Sequence, residues 1–205
     1  KHLGLLPLNG LLADLGVSSH QFDTGSRGFS FRFEDKLNMK MDTDISINAA
    51  KILNEYPESE LHKIFGMYGE IKNARTLAQR IVEARIIKPI ETTKDLVAVI
   101  DRCVNSRDNR LKYTTLVFQA LRISINDELN ALRKLLTVAK EILAPGGRMV
   151  VITYHSLEDR LVKNYFATGN FKGIAEKDMY GHSHSPFEIV NKKPLVPSED
   201  EIVHN

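Results

Sequence analysis

The chain of 205 residues has a single cysteine, Cys103, and no apolar run near the roughly 18–20 residues that a membrane-spanning helix needs. An internal disulfide is therefore excluded, along with a small disulfide-stapled scaffold, and a reducing, cytoplasmic setting is expected. There is no signal-peptide pattern, and the chain begins with Lys1 rather than Met. It also lacks an excess of either charge: 28 basic against 26 acidic residues leave a net +2, too balanced to diagnose nucleic-acid binding from composition. No internal repeat or low-complexity tract occurs. Two histidines, His182 and His184, sit at i, i+2 in a weakly patterned tail, far in sequence from Cys103, so no metal site is expected. What is present is 42% hydrophobic and 26% charged residues, which excludes disorder and suits one sizeable domain, or a core with a small inserted lobe.

Two segments read as buried parallel strands. One spans residues 10–14 (GLLAD) and runs into LGVSS; the other is RMVVITY, residues 148–154, entered from a turn at Pro145, Gly146 and Gly147. Both are apolar without alternation, as expected where helices cover both faces of a sheet. Each ends in polar residues: Asp14, Ser18 and Ser19 in the first, His155 and Ser156 in the second. Ligands of open α/β sheets sit at the carboxyl ends of strands, so these ends are the first places to seek chemistry.

Helices are marked by apolar residues three and four apart. Asn126 is the expected cap of a helix carrying Leu129, Leu132, Leu136, Ala139 and Leu143, stopped by Pro145 and Gly146. A capping box from Ser156 to Asp159 is expected to open another, with Leu157, Leu161 and Tyr165 on one face. Residues 45–104 show short amphipathic helices and no strand: Leu61, Ile64, Phe65 and Tyr68; Leu77, Ile81 and Ala84; then Leu96, Ile100 and Cys103 after a box opened by Thr92 and Asp95. A helical block between strand-bearing segments reads as an insertion into an α/β domain. The expected organisation is a core in two parts, residues 1–44 and 105–205, with the insertion at 45–104. The polar stretch NSRDNRLK (residues 105–112) reads as the return linker, residues 187–190 as a short strand, and the acidic run 199–201 as loop.

The chemistry-bearing residues cluster. DLGVSSHQ (residues 14–21) is a strand end followed by a turn rich in hydrogen-bonding groups, read either as local capping or as a ligand-contacting loop. RGFSFR (27–32) and LNMKMD (37–42) interleave cations with Phe and Met, a pattern that suits base stacking and phosphate pairing or plain packing. In TYHSLEDR (153–160), His155 stands beside a helix start with Asp159 and Arg160 one turn on. Serine-nucleophile catalysis is rejected, because no G-x-S-x-G elbow precedes a helix. FQALR (118–122) ends in Arg122, which either binds phosphate or pairs with an acidic neighbour.

Taken in order, DLGVSSxQ, RGFSFR, LxMxMD, FQALR, APGG (144–147) and HSLEDR (155–160) make the sequence resemble the MraW (RsmH) family of S-adenosylmethionine-dependent methyltransferases. The resemblance runs from about Gly10 to the end of the chain. It implies an α/β fold, a partial Rossmann-like class I methyltransferase core with an inserted all-helical subdomain. It also implies methyl transfer from S-adenosylmethionine to the exocyclic N4 of a cytidine in small-subunit ribosomal RNA, free or in the 30S subunit. Asp14 and Gln21 match the family's cofactor contacts. Asn38 stands where the family usually carries Asp.

Only thirteen residues precede Asp14, and no G-x-G-x-x-G occurs, whereas the resemblance implies a Gly-rich cofactor loop ahead of DLGVSS. The chain is accordingly expected to be an internal stretch of the family's sequence, inactive by itself. An RNA-binding role without catalysis, or a class I methyltransferase with another acceptor, are the rival readings. The reacting groups are expected to be Asp14, Ser18, Ser19, His155 and Ser156, with Arg27, Arg32, Lys40, Arg122 and Arg160 holding RNA phosphates. An exposed sheet edge predicts a homodimer or swapped assembly.

Overall fold

The apolar spacings in the middle of the chain do form helices. The computed structural model describes residues 4, 6–104, 107–175, 179–180, 185–191 and 193–204. Strand β1 (Leu8–Asp14) is followed by α1 (Ser19–Asp23), a 3-10 turn at Gly25–Arg27, and helices α2 (Ala49–Glu55), α3 (Glu58–Gly69), α4 (Ala74–Ile87), α5 (Thr93–Asp101), α6 (Arg107–Asn126) and α7 (Glu128–Ile142). Then come β2 (Leu143–Ile152), α8 (Ser156–Thr168) and α9 (Glu199–His204). Packing divides the chain into two compact units: Leu15–Leu132, and the residues up to Asp14 together with those from Arg133 onward.

The first unit is helical. Leu61, Ile64 and Phe65 of α3, Leu77, Ala78 and Ile81 of α4, Leu96 and Ile100 of α5, and Val117 and Leu121 of α6 form one buried core. Each of the larger side chains, Leu, Ile, Val and Phe, contributes roughly 1.5–3 kcal/mol by leaving water. Residues 15–44 also pack with this unit, burying Phe29, Leu37 and Met39 in the same core. The NSRDNRLK stretch is not wholly a linker, since α6 starts at Arg107. Exposed first turns of a long helix carry the polar composition of a loop, and composition alone does not separate the two.

Helix α5 starts at the box read from sequence. The Thr92 Oγ1 accepts from the Asp95 N–H at 3.2 Å, and Asp95 Oδ2 accepts from the Thr92 N–H at 3.0 Å and its hydroxyl at 2.8 Å. Lys88 Nζ adds a 2.7 Å ion pair to Asp95 Oδ1. Burial by itself would push the Asp95 carboxyl up, but the bonds from Lys88, Thr92 and the Glu91 N–H outweigh it and hold the group down to about 2. A carboxyl depressed by folding stabilises above its unfolded pKa, and that contribution disappears as pH falls from about 4 to about 2. Asp95→Asn is therefore expected to cost about 1–2 kcal/mol at neutral pH, discounted because Lys88 is exposed to solvent. Denaturant melts of both proteins should converge near pH 2; a constant gap across pH would contradict the assignment.

In the second unit, β1 and β2 pair in parallel, with Leu11 opposite Met149 and Asp14 opposite Ile152. A parallel pair joined through helices places the fold in the α/β class, as expected. The expectation that both faces are covered is corrected among the described residues: Leu12 is 69% and Val150 53% exposed, while Leu11, Ala13, Met149 and Val151 on the opposite face are partly buried. Side chains alternate across a strand, so one covered face shelters only every second residue. Strand β2 also takes in residues 143–147, where a turn was expected, with an irregular register between Leu8 and Gly10.

Helix α8 buries Leu157, Leu161 and Tyr165 as read. Its cap is His155 rather than Ser156, so the box is shifted by one residue: the His155 side chain accepts from the Glu158 N–H. Asn126 is the last residue of α6 and not the cap of α7. The break falls at Asp127, whose φ is +50° and whose carbonyl accepts from the Asn130 and Ala131 N–H groups. Residues 187–190 form no strand. The acidic run is helical in α9, because Ser198 and Glu201 bond reciprocally and acidic residues favour a first helical turn. The pair His182 and His184 lies outside the described residues.

Candidate active site

In the sheet unit, two strand ends and a helix start meet. Asp14 closes β1, and its Oδ1 accepts a 2.9 Å hydrogen bond from the Tyr154 hydroxyl, two residues beyond the end of β2. Accepting this bond, the Asp14 carboxylate raises the Tyr154 hydroxyl above its ordinary pKa, so the phenol stays a donor. The Tyr154 N–H donates to Glu158 Oε2 at 2.9 Å. His155 and Glu158 side chains are only 7% and 4% exposed, with Nε2 and Oε1 3.4 Å apart. Glu158 thus ties the strand end to the first turn of α8. Ser156 follows at the surface, where α8 begins.

Sequence reasoning brought Asp14, His155 and Ser156 to this place but missed Tyr154 and Glu158. The signal for Glu158 was the H-x-x-E spacing, hidden by the overlapping S-x-x-D. For Tyr154 there was none beyond its neighbours, since a pairing 140 residues apart appears only once the strands align.

Apart from Arg160, the other candidates lie in the helical unit. Ser18 is the N-cap of α1, and its N–H donates to Gln21 Oε1 at 3.0 Å; Ser19 is exposed beside it. Local capping, left open from sequence, is therefore present.

The proposed phosphate ligands differ in their engagement. The Arg27 guanidinium donates to the carbonyls of Lys40 at 2.8 Å and Met41 at 3.1 Å, and lies over the Phe29 ring. Lys40 Nζ donates to the carbonyls of Thr43 and Ile45. Arg122 makes a two-pronged pair with Glu128 at 2.9 and 3.0 Å, the side chains 13% and 10% exposed. All three cations are engaged in holding the fold, and for Arg122 the acidic-neighbour reading is the one realised. Arg32 is exposed in this unit, and Arg160 is exposed on α8 of the other.

The LNMKMD segment is held rigidly. Asn126 Oδ1 accepts from the Met41 N–H at 2.7 Å, and its Nδ2 donates to the carbonyls of Met39 at 2.8 Å and Arg122 at 2.9 Å. Met39, fully buried, sits at φ +59°. A non-glycine residue in the left-handed region persists only where its surroundings over-determine it, which this clamp does.

The model of the MraW methylase family matches residues 1–205. Curated relatives include the ribosomal RNA small subunit methyltransferase H of Parabacteroides distasonis, 51% identical over 198 residues, which is 97% of this chain and 65% of that protein. The protein of the same name from Phocaeicola vulgatus is 49% identical over 205 residues, 100% of this chain and 67% of that one. That of Cytophaga hutchinsonii is 50% identical over 202 residues, covering 98% and 67%. The chain spans about two thirds of the length of these relatives. Among the described residues no helix is long and apolar enough to cross a membrane.

Proposed function

The chain belongs to the MraW methylase family, and we propose that the full-length protein transfers a methyl group from S-adenosylmethionine to the exocyclic N4 of a cytidine in small-subunit ribosomal RNA. The observation that carries this reading is Asp14, an exposed carboxylate at the carboxyl end of a parallel strand, held by a neighbouring hydroxyl. The curated relatives' printed names support the ribosomal RNA as substrate class. A cytoplasmic site of action goes with that substrate.

The cytosine amine is a weak nucleophile because its lone pair is delocalised into the ring. Catalysis must align it in line with the methyl donor and accept its N–H hydrogen bonds as positive charge develops. Asp14 supplies that acceptor. Its Oδ1 is taken by Tyr154, leaving Oδ2 to a substrate N–H. The donor set also fits S-adenosylmethionine: a carboxylate suits the positive charge and N–H groups of that molecule, and Asp14 and Gln21 are the residues that would hold it. Bound there, it supplies an electrophilic methyl group on a sulfonium.

His155 and Ser156 shape the same strand end, with Ser18 and Ser19 following Asp14 in the chain. Arg27, Arg32, Lys40, Arg122 and Arg160 are the cations proposed to meet RNA phosphates; within the helical unit Arg27, Lys40 and Arg122 also hold the chain through their carbonyl and carboxylate partners. The helical segment 45–104, which in sequence separates residues 1–44 from 105–205 and packs with residues 15–44 and α6, is proposed to read the shape of the RNA. Incubating full-length protein with labelled S-adenosylmethionine and small-subunit RNA or 30S subunits tests the reading. Label in the RNA supports it; RNA binding without transfer supports a binding module instead.

The open apolar face at Leu12 and Val150 supports self-association of this chain. Light scattering should return a dimer mass, and a monomer mass at high concentration would contradict it.

A further inference from the structure

We propose that Tyr154 is a positioning residue for this reaction, its hydroxyl holding the Asp14 carboxylate in one orientation and its open ring giving the target base a face to stack on. The inference rests on the methyl-transfer reading and extends it to a residue that the motifs did not single out.

Three observations place the ring. Its hydroxyl is tied to Asp14 Oδ1 at 2.9 Å. Its backbone N–H is tied to the buried Glu158 at 2.9 Å, so the residue is held at both ends. The residue is nevertheless 66% exposed, which is unusual for an aromatic whose backbone is anchored to a buried carboxylate. A ring fixed at its root and its tip but open on its face loses little conformational freedom when a planar base settles on it. Base–aromatic stacking works for any base, because every base has a π-face. Selectivity for an amine-bearing base would then come from the adjacent carboxylate, which accepts from an exocyclic N–H but repels a carbonyl oxygen. Ring and carboxylate together form a two-part recognition element at one strand end.

Two variants of the full-length protein separate the parts. Tyr154→Phe keeps the ring and removes the hydroxyl; kcat is expected to fall about tenfold, with KM for RNA within about twofold of wild type. Tyr154→Ala removes both, and KM for RNA should rise about tenfold in addition, with KM for S-adenosylmethionine unchanged. The Phe variant thus rescues RNA affinity but not turnover, a split that a purely structural role would not produce. Wild-type kcat in Tyr154→Phe would overturn the hydroxyl's role. An unchanged KM for RNA in Tyr154→Ala would overturn stacking, and a raised KM for S-adenosylmethionine alone would move the ring to the methyl donor. Wild-type protein that transfers no methyl to RNA would instead overturn the underlying functional reading.

Discussion

Gly28→Ala is expected to cost the helical unit more than about 4 kcal/mol, a large share of the roughly 5–15 kcal/mol that holds a typical domain together. Gly28 has φ +69°, in the left-handed region that residues with a Cβ rarely adopt. A Cβ there would stand 2.4 Å from the Lys36 carbonyl oxygen and 2.8 Å from the Asn38 nitrogen, and both are backbone atoms. Neither can move aside cheaply. The Met39 N–H is bonded to the Arg27 carbonyl at 2.9 Å, the Leu37 N–H to the Glu91 carbonyl at 2.9 Å, and Asn126 clamps Met39 and Met41 from the other side. Gly146→Ala is the control. Its φ of +79° carries the same backbone cost, but no atom lies within 4 Å of the added methyl, so a loss of only about 1 kcal/mol is expected. Denaturant titration of both variants checks this. Equal midpoints for the two would show that the close approach at Gly28 is not what demands glycine.

Asp14→Ala is expected to lower kcat of the full-length protein about a thousandfold while leaving the thermal midpoint within a few degrees. The carboxylate is exposed, and its one described side-chain bond is to the surface Tyr154, so folding loses little when it goes. Catalysis loses the acceptor aimed where charge develops, and that is where preorganised groups matter most. Asp14→Asn keeps a carbonyl oxygen but not the charge, and should fall between Ala and wild type. Near-wild-type turnover in Asp14→Ala would remove Asp14 from the reaction.

Much of the fold was legible because it rests on local rules. The amphipathic spacing of Leu61, Ile64 and Phe65 and the Thr92 box are written within a few residues, and both appear in the structure as read. The carboxyl ends of two parallel strands were legible for the same reason, and they brought Asp14 and His155 into view. What was not legible depends on partners distant in sequence. The partners of Arg27 are of this kind, since the turn at Gly28 brings its guanidinium onto the carbonyls of Lys40 and Met41, thirteen and fourteen residues away. Asn126 looked like a helix cap, because nothing nearby in sequence announces that it meets Met41, 85 residues earlier. Where two capping patterns overlap, as around His155 and Ser156, one-residue ambiguity is intrinsic, and tertiary packing decides it.

The near balance of charge takes on meaning in this light. Net charge of +2 gives no broad electrostatic attraction to RNA, and three of the expected cations are engaged within the fold. On the proposed reading, RNA recognition then rests on local contacts rather than on net charge, with the strand-end pair Asp14 and Tyr154 among them.

The central claim is that this strand end methylates an exocyclic cytosine amine. The most direct measurement is nucleoside mass spectrometry of small-subunit RNA after incubation with full-length protein and methyl-labelled S-adenosylmethionine. The account predicts the labelled methyl on N4 of cytidine, and its loss when Asp14 is replaced by Ala. Label on a ring carbon, on a ribose hydroxyl or on another base would contradict it.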